Sequence, residues 1–291
     1  MTQPSSTPSH LAIYLVHYYA PIWCARAARS LLKSEGIIPL VTIIDNGGGQ
    51  DLERMVPPQV RVLKQEINRG FTGGANVAFH DWKDRSTGDS FILIGSHDLH
   101  LDPGALYLLL KAAAAHPECG ILAPNLIGRE HRMPVTQDIH DGVGHVPWVS
   151  GTCMLFRKEC LRAVRGFDET YGSYVEDVDI CLRAADAGWL TGVVVGSHGF
   201  GLGRAHPDVG DVLCDANKIL LTRRRGGTLR FYVAAAALLG RTVRSALGCI
   251  WPFRPLEARK RSRLMLVRRL RALLRVARTY RTARTPQLPA G

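Results

Sequence analysis

The sequence predicts an α/β fold with a largely parallel central sheet. Over about the first two hundred residues, short β-rich runs alternate with segments of helical periodicity, which is the pattern of successive βαβ units. Hydrophobic residues make up 46% of the 291 positions, so the chain can bury a full core. Three predicted strands run into polar residues: Asp45, Asn68 and Asp98. Because open α/β sheets bind ligands beyond the carboxyl ends of their strands, these positions predict one shared site.

The predicted elements alternate along the chain. A strand at 11–19 precedes a helix at 21–34, which has Pro21 in its first turn and Gly36 just past its end. The elements that follow are a strand at 39–45, a strand at 61–67, a helix at 73–83, a strand at 90–98, a helix at 103–116, an irregular stretch at 128–147, an apolar run at 149–156, a helix from Glu176 and a strand at 190–197. Polar residues also end strands simply because turns need them, and this remains the alternative interpretation of the three positions.

The charge is placed unevenly and predicts two functional parts. The net charge is +12, but from Arg223 to the end 17 Arg and one Lys accompany a single acid, which gives that segment +17 and leaves −5 for the rest. The composition changes near Arg225. We therefore predict a disordered N-terminus at 1–10, a globular domain at 11–225 and a basic helical tail at 226–291.

Cysteine usage and the apolar segments predict a reduced, cytoplasmic chain. The seven cysteines are widely spaced and form no CxxC pair. The N-terminus lacks a basic region followed by an apolar run, so nothing predicts export. The most apolar segment, 231–240, is interrupted by Arg241 and Arg244, so we expect no membrane-spanning helix.

Asp98 is a candidate metal ligand. It ends an apolar strand, with His97 beside it and His100 two residues further on. Mg²⁺ and Mn²⁺ prefer oxygen ligands and readily bridge a carboxylate to a diphosphate. A purely structural role for Asp98 in the turn is the alternative.

An acidic cluster opens the helix at 176. Acids in a first turn favourably meet the helix dipole, which is the structural interpretation, but Glu176, Asp177 and Asp179 are more than capping needs. Asp179 is predicted to pair with Arg183 at i+4, while Asp177 points elsewhere and is a candidate general base. His198, after the strand at 190–197, is a candidate metal ligand through a neutral ring nitrogen. The glycines at 199, 201 and 203 open no helical pattern, so a dinucleotide site is disfavoured.

Five motifs, taken in this order, resemble family 2 glycosyltransferases of the GT-A fold, and particularly their rhamnosyltransferase-like branch. They span roughly 11–225 and are IIDNGG at 43–48, NRGFTGGAN at 68–76, LIGSHD at 93–98, WVSGTCMLFRK at 148–158 and GFDETYGSYVEDVDICLR at 166–183. The resemblance implies an inverting transferase that moves a sugar, rhamnose in that branch, from a nucleotide-sugar donor to a glycan or lipid-linked acceptor in cell-surface polysaccharide synthesis.

The resemblance also implies roles for individual residues. Asp177 corresponds to the catalytic base and Glu176 to its supporting neighbour, while Asp98 and His198 correspond to ligands of Mg²⁺ or Mn²⁺. The donor-binding residues that it implies are Asp45, Asn68, Gly70, Asn76 and Asp98. Two positions depart from the family pattern: Ser96 stands where the first acid of the metal motif is expected, and Tyr19 where Asn is common.

The basic tail predicts an anionic partner. Its apolar residues at 266, 270, 273, 274, 277 and 280 share one helical face with arginines at the flanks. We favour attachment to the inner face of the cell membrane, over packing on the globular domain or a partner chain, and over nucleic acid. Two other functions stay open: a degenerate nucleotide-sugar binder that acts as a scaffold, and a nucleotidyltransferase, although the chain lacks that class's basic Gly-rich loop near the N-terminus.

Overall fold

The computed structural model describes residues 9–47, 51–85, 89–127, 139–201, 207–251 and 255–280. Contacts divide the chain into two compact units. The first unit comprises the described residues up to Gly172 together with those from Glu176 to 201. The second comprises Ser173–Val175 and the described residues after 206.

The first unit is built on a single mixed sheet. Its strands are β1 (Ser9–His17), β2 (Ile37–Asp45), β3 (Arg61–Lys64), β4 (Phe91–Ser96), β5 (Leu99–Leu101), β6 (Cys119–Leu126), β7 (Ile139–His140), β8 (Val143–His145), β9 (Cys153–Arg157) and β10 (Leu190–Gly201). They lie in the order β3-β2-β1-β4-β9-β6-β10-β8-β7, and β5 pairs with β10 outside this path. Strands β3, β2, β1 and β4 are mutually parallel, and β6 is parallel to β10.

Helices cover both faces of the sheet. They are α1 (Pro21–Leu31), α2 (Gly70–Arg85), α3 (Ala105–Ala115), α4 (Lys158–Ala163) and α5 (Glu176–Asp186), with a 3-10 turn at Leu52–Arg54. Alternate residues of β1 enter opposite cores because a strand directs successive side chains to opposite faces. Leu11, Ile13 and Leu15 pack in the core that contains α1 and α3. Ala12, Tyr14 and Val16 pack in the core that contains α2, α4 and α5.

The predicted α/β class with a mostly parallel central sheet is confirmed, and several boundaries differ. Residues 9 and 10 belong to β1 rather than to a disordered N-terminus, and β3 ends at Lys64, four residues before Asn68. Strand β4 ends at Ser96, so Asp98 lies in the following turn. The apolar run at 149–156 yields β9, which is antiparallel to both β4 and β6. Strand β10 extends beyond the expected end and includes His198.

The second unit is helical. It contains α6 (Pro207–Ile250) and α7 (Leu256–Tyr280), and Gly227, with φ +74°, interrupts α6 close to the predicted boundary at 225. The two helices share a small core of Ala216, Ile219, Phe231, Leu238, Ala272 and Val276. Arg269 of α7 donates to the Arg241 carbonyl over 2.7 Å and to the Ser245 hydroxyl over 2.6 Å.

One stretch of α6 differs from the expectation of no membrane-spanning helix. Leu229–Ile250 has 22 residues and a mean hydropathy of 1.4, so by length and composition it could cross a membrane. Only 22% of this stretch is buried. The stretch keeps the mean hydropathy of a membrane-spanning segment although it contains Arg241 and Arg244.

The side of α7 that is most buried differs from the apolar face predicted for the tail, since Ala272 and Val276 lie outside the predicted set of residues 266, 270, 273, 274, 277 and 280. Ala272 and Val276 are buried against α6, whereas Leu270 and Leu274 stay 46% and 59% exposed. Several predicted features lie outside the described residues: most of the N-terminus at 1–8, Gly48 and Gly49 of the turn after β2, the irregular segment 128–138, residues 202 and 203 of the glycine-rich turn, and the tail beyond 280.

Candidate functional site

Strands β1, β2 and β4 end at one edge of the sheet. Their pairing places His17 opposite Asp45 and Val16 opposite Ser96. Because the three strands are parallel, their carboxyl ends meet at this edge, as the polar endings in the sequence predicted. The segments that leave these strands therefore form the framework of the candidate site.

Asp45 is buried and bound to His17. Asp45 is 4% exposed and His17 0% exposed, and His17 Nδ1 lies 3.1 Å from Asp45 Oδ1. His17 Nε2 accepts the Ala20 backbone N–H over 3.1 Å, so the ring proton must be on Nδ1, from which it is donated to the carboxylate. Burial lowers the pKa of His17, although Asp45 opposes that shift. A neutral His17 in a fixed tautomer thus orients the Asp45 carboxylate.

Asn46 joins the end of β2 to the start of α2, a role that the sequence did not indicate. Its side-chain NH₂ donates to Asn68 Oδ1 over 3.0 Å and to the Gly70 carbonyl over 2.7 Å. Its Oδ1 accepts the Arg69 backbone N–H over 3.1 Å. Asn68 Oδ1 also accepts the Gly70 N–H over 2.7 Å. The buried Asn46 side chain, 1% exposed, therefore holds the Asn68–Gly70 turn in place through these hydrogen bonds.

Gly70 is required by geometry. Its φ is +72°, and a Cβ at this position would lie 2.3 Å from the Gly172 carbonyl oxygen. That oxygen also accepts the Thr72 backbone N–H over 2.9 Å. A side chain at residue 70 would therefore combine backbone strain with a collision against main-chain atoms that cannot rotate away.

Asn76 binds protein backbone. Its Oδ1 accepts the Phe167 N–H over 2.8 Å, and its Nδ2 donates to the Phe167 carbonyl over 2.9 Å and to Glu169 Oε1 over 3.0 Å. Arg69 Nη2 meets the other Glu169 oxygen over 2.8 Å. In this arrangement the Asn76 amide ties α2 to the segment that leads into α5.

Asp98 lies in a turn stabilised from two sides. The Ser96 hydroxyl donates to Asp98 Oδ1 in a short hydrogen bond. His97, between them, donates from Nδ1 to the Val16 carbonyl over 3.2 Å, and its ring meets the His17 ring edge-on. Burial lowers the pKa of His97, with the Asp98 charge opposing the shift. Ser96 stands at the position where the first acid of the metal motif is expected, and its hydroxyl orients Asp98, the second acid of that motif.

Asp177 and Glu176 have different environments at the start of α5. Asp177 Oδ2 accepts the Gly151 backbone N–H over 3.0 Å and Oδ1 accepts the Val178 N–H over 2.9 Å. Glu176 is buried, and Oε2 has no hydrogen-bond partner among the described residues. Burial, followed by the charge of Asp177, raises the pKa of Glu176 well above its usual value, which favours the neutral acid.

The loop before β9 connects the two acidic positions. Ser96 N–H donates to the Thr152 carbonyl over 3.0 Å, and the neighbouring Gly151 N–H is the one that binds Asp177. The turn that carries Asp98 and the helix that carries Asp177 are therefore held by adjacent residues of one loop. The structure thus assembles Asp45, Asn68, Gly70, Asp98 and Asp177 around the carboxyl edge of the sheet.

Asp179 has the structural role that was predicted. Arg183 Nε donates to Asp179 Oδ2 over 2.7 Å, which confirms the i+4 pair, and the Tyr171 hydroxyl donates to Oδ1 over 3.1 Å. Arg183 also donates to the Val164 and Gly166 carbonyls over 2.6 and 3.0 Å. Asp179 is 3% exposed, so it braces α5 rather than facing a ligand.

His198 lies within β10 opposite Asn125 of β6. Its carbonyl accepts the Asp102 N–H over 3.1 Å. Its Nδ1 is buried and has no hydrogen-bond partner in the described part of the chain. A buried ring nitrogen without a partner fits a metal ligand, because a coordinated ion would supply the missing interaction.

An open pocket of about 730 Å³ lies beside Asp45. It is lined by Asp45, Gly47, Asp51, Glu53, Arg54, Lys64, Gln65 and Glu66. Lys64 pairs with Glu53 over 3.0 Å at its rim. The volume is in the range of pockets that hold small molecules and cofactors.

Solved glycosyltransferases share this fold. The mannosyltransferase PcManGT from Pyrobaculum calidifontis, in complex with GDP-Man and Mn²⁺, is 13% identical over 94% of this chain and 87% of its own, with a TM-score of 0.59. GalNAc-T7 with UDP, GalNAc and Mn²⁺ is 10% identical over 88% of this chain and 54% of its own, also at 0.59. S. aureus TarS is 16% identical over 97% and 56%, at 0.51. The expected GT-A fold is confirmed.

A curated relative extends the comparison to sequence. The N-acetylglucosaminyl-diphospho-decaprenol L-rhamnosyltransferase of Mycobacterium tuberculosis is 26% identical over 191 residues. The match covers 52% of this chain and 62% of the relative, so it spans less than two thirds of that protein. Residues 92–285, more than half of the chain, match the family described as Glycosyl transferase family group 2. The chain therefore belongs to that family of glycosyltransferases, as its five motifs implied.

Proposed function

We propose that the chain transfers a sugar with inversion from a nucleotide-sugar donor to a glycan or lipid-linked acceptor. The observation that carries the proposal is the loop before β9, whose Gly151 N–H binds Asp177 while the adjacent Thr152 carbonyl binds the turn of Asp98. One short loop thus holds both the candidate base, Asp177, and the candidate metal ligand, Asp98. This suits a displacement in which the acceptor attacks one side of the anomeric carbon while the diphosphate leaves from the other side. The name of the mycobacterial relative supports rhamnose as the sugar and a lipid-linked acceptor.

Asp177 is the general base in this proposal. The acceptor hydroxyl oxygen attacks the anomeric carbon, its proton passes to Asp177, and the bond from that carbon to the diphosphate oxygen breaks. Backbone donors to both carboxylate oxygens fix the orientation of Asp177. Glu176 supports it by favouring the neutral form, so that a second full negative charge does not lie beside the base.

Asp98 and His198 would hold Mg²⁺ or Mn²⁺. The buried Nδ1 of His198, which has no partner in the described chain, and the oriented carboxylate of Asp98 are the features that fit such an ion. A bound divalent ion neutralises the diphosphate and improves it as a leaving group. The two solved neighbours named with Mn²⁺ are consistent with this assignment.

Asp45 and the Asn68–Gly70 turn would bind the nucleotide part of the donor. Asp45 lines the open pocket, and its carboxylate is oriented by His17. Asn68 is exposed at the turn that Asn46 holds in place. Asn76 contributes by positioning, because its amide is bound to Phe167 and Glu169.

The proposed tail at 226–291, whose described residues belong to the second unit, would bind the inner face of the cell membrane. Both helices expose apolar side chains, among them Leu229, Val233, Leu247, Leu264 and Leu274. In α7, arginines lie along the same helix as the exposed leucines. A basic surface with exposed apolar residues suits an anionic lipid interface, which is where a lipid-linked acceptor would be found.

Transfer assays with a donor panel test the proposal. The full chain is assayed with UDP-, dTDP- and GDP-sugars, Mn²⁺ and a lipid-diphosphate-linked glycan, alongside Asp177→Asn and the control Asp186→Asn at the other end of α5. We expect transfer from one donor class, a loss of roughly 100-fold or more in Asp177→Asn with nucleotide affinity kept, and near-normal transfer in the control. Transfer retained in Asp177→Asn would exclude the assigned base. Donor binding without transfer by the unmodified chain would instead favour the scaffold hypothesis.

A further inference from the structure

A second cluster of metal-ligand side chains lies at the opposite end of β6 from His198. It comprises Glu118, Cys119 and His145, whose ligand atoms all lie within 4.8 Å of one another. Cys119 begins β6, whereas Asn125, opposite His198, is near its end. At about 3.3 Å per strand residue, the cluster is roughly 20 Å from His198. It is therefore separate from the proposed catalytic edge.

We propose that Glu118, Cys119 and His145 form a binding site for Zn²⁺ that joins β6 to β8, the second strand from the end of the sheet. The thiol of Cys119 is buried and lies 3.8 Å from His145 Nε2. In a tetrahedral zinc site with bonds of about 2.3 Å to sulfur and 2.0 Å to nitrogen, these two atoms would be roughly 3.5 Å apart. A displacement of a few tenths of an ångström brings this pair to that separation, and the half-exposed Glu118 side chain would rotate to complete the site. Binding releases the thiol proton to solvent.

The ligand set favours zinc over the ion proposed for the catalytic edge. Thiolate and imidazole suit Zn²⁺, whereas Mg²⁺ and Mn²⁺ prefer oxygen ligands. Three protein ligands leave a fourth position for water, which is compatible with a Glu118 side chain that is 45% exposed. The two ions would therefore not compete for one site.

Neighbouring groups hold the ligands in place. His116, buried at 9% side-chain exposure, donates from Nδ1 to Glu118 Oε1 over 3.1 Å, while its Nε2 has no partner in the described chain. Arg157 fixes the backbone beneath the cluster, donating to the carbonyls of Ala113, His116 and Cys119 over 2.5, 3.2 and 3.1 Å. Partners of this kind, one shell beyond the ligands, orient metal sites in proteins.

The sheet explains why such a bridge would matter. Strand β10 lies between β6 and β8, and Gly192 of β10 pairs with His145. A Cβ on Gly192 would lie 2.6 Å from the Val143 Cγ1 atom, so the Val143 side chain packs directly over β10 here. Strand β8 has three residues and β7 two, which gives this margin of the sheet few hydrogen bonds of its own. A zinc bridge would tie this margin to the interior.

Cobalt spectroscopy of the full chain provides the test. Co²⁺ takes up zinc sites and gives a near-ultraviolet charge-transfer band only when a thiolate is bound, so an ion at Asp98 and His198 would not produce it. We expect one equivalent of Co²⁺ per chain to give this band, Zn²⁺ to abolish it, and Zn²⁺ to raise the melting temperature. Cys119→Ser should remove the band, and His145→Asn should weaken Zn²⁺ binding by roughly 100-fold.

Matched variants distinguish zinc binding by this cluster from binding by cysteines and histidines elsewhere in the chain. His140→Asn on β7 and Cys249→Ser in α6 remove the same side-chain types away from the cluster, and both should keep the band. If Cys119→Ser does not fold, the band in the unmodified chain and its loss in His145→Asn still decide the matter. Absence of the band in the folded, unmodified chain, or its persistence in both ligand variants, would show that Cys119 and His145 form only a weak hydrogen bond.

Discussion

His17 donates its Nδ1 proton to Asp45 across the ends of two paired parallel strands, because its other ring nitrogen already accepts the Ala20 N–H. The carboxylate proposed to bind the donor is therefore oriented by a buried, neutral imidazole. These two hydrogen bonds specify one tautomer of His17, whose Nδ1–H then orients the Asp45 carboxylate beside the pocket that it lines.

Replacing His17 by Asn should weaken nucleotide binding and reduce the pH dependence of stability. Burial lowers the pKa of His17 in the folded chain below the unfolded value near 6.5. As the pH falls below about 6.5, the unfolded chain takes up a proton that the folded chain does not, so stability is lost. His17→Asn removes this contribution, and its free energy of unfolding should fall less between about pH 7.5 and 5.5. Urea unfolding at both pH values measures the difference, with exposed His10→Asn on the same strand as the control. Equal slopes in the variant and the unmodified chain would contradict the prediction.

Glu176→Gln should retain most transfer activity and should raise the stability of the folded chain at neutral pH. Because the pKa of Glu176 is raised in the folded chain, its contribution to stability is present below the unfolded value near 4.3 and is lost as the pH rises through the folded value. Glutamine imitates the neutral acid, so the variant should gain stability at neutral pH relative to the unmodified chain. Transfer should stay within roughly tenfold, in contrast to Asp177→Asn. Thermal unfolding and initial rates check both parts, and a loss as large as that of Asp177→Asn would assign Glu176 a direct chemical role.

Gly70→Ala should destabilise the fold by about 1–3 kcal/mol or more. The φ of +72° strains any side chain, and the added Cβ would collide with the Gly172 carbonyl. Gly196→Ala is the matched control, since its Cβ would make only an ordinary contact of 3.9 Å with Leu108. Urea unfolding of the two variants should separate them clearly. A Gly70→Ala protein as stable as the control would mean that the turn can adopt another conformation.

Asn76→Ala should cost roughly 1–3 kcal/mol of stability, because three hydrogen bonds to Phe167 and Glu169 are lost. Arg69→Gln removes only the exposed ion pair to the same Glu169 and should cost less than about 1 kcal/mol. Nucleotide affinity should follow stability in both variants if Asn76 acts by positioning. Loss of affinity in an Asn76→Ala protein that is otherwise stable would indicate direct contact with the donor.

Neutralising exposed arginines of α7 should reduce membrane binding. Arg261, Arg263 and Arg271 are exposed, and each basic residue at an anionic surface is worth about 1 kcal/mol, so their joint change to Gln should weaken vesicle binding by roughly two orders of magnitude. The matched control changes Arg26, Arg54 and Arg162 of the first unit, which lowers the net charge equally. Sedimentation with vesicles of anionic lipid, repeated with zwitterionic lipid, measures the effect. Equal losses in the two triple variants would point to net charge rather than to the tail.

Much of the first unit could be predicted because many of its elements are determined by interactions between residues that are close together in the sequence. The alternating burial of β1 and the strand ending at Asp45 follow from side-chain periodicity and the polar turn that comes next. The acidic start of α5 and the Asp179–Arg183 pair follow from helical spacing. These features depend on residues close together in the chain.

The features that could not be predicted depend on contacts between distant residues. The apolar run that forms β9 carries no information about direction, so its antiparallel placement was missed. Asn46 follows a predicted site residue, yet its bonds reach Asn68 and Gly70 across more than twenty positions. Cys119 and His145, 26 residues apart, have no recognisable ligand spacing.

The antiparallel direction of β9 provides Asp177 with a hydrogen-bond donor from the main chain, which does not depend on the identity of a side chain. Since β9 runs opposite to β4 and β6, the segment entering it arrives at the edge where those strands end, and it presents peptide groups there. The donor to Asp177 is the amide of Gly151, and a Cβ at that residue would meet nothing closer than 3.5 Å. Alanine can therefore replace this glycine and keep the hydrogen bond to the base, whereas a larger side chain would extend from a Cβ that already contacts Asp177 and Glu176. Proline alone, having no amide hydrogen, would remove the donor.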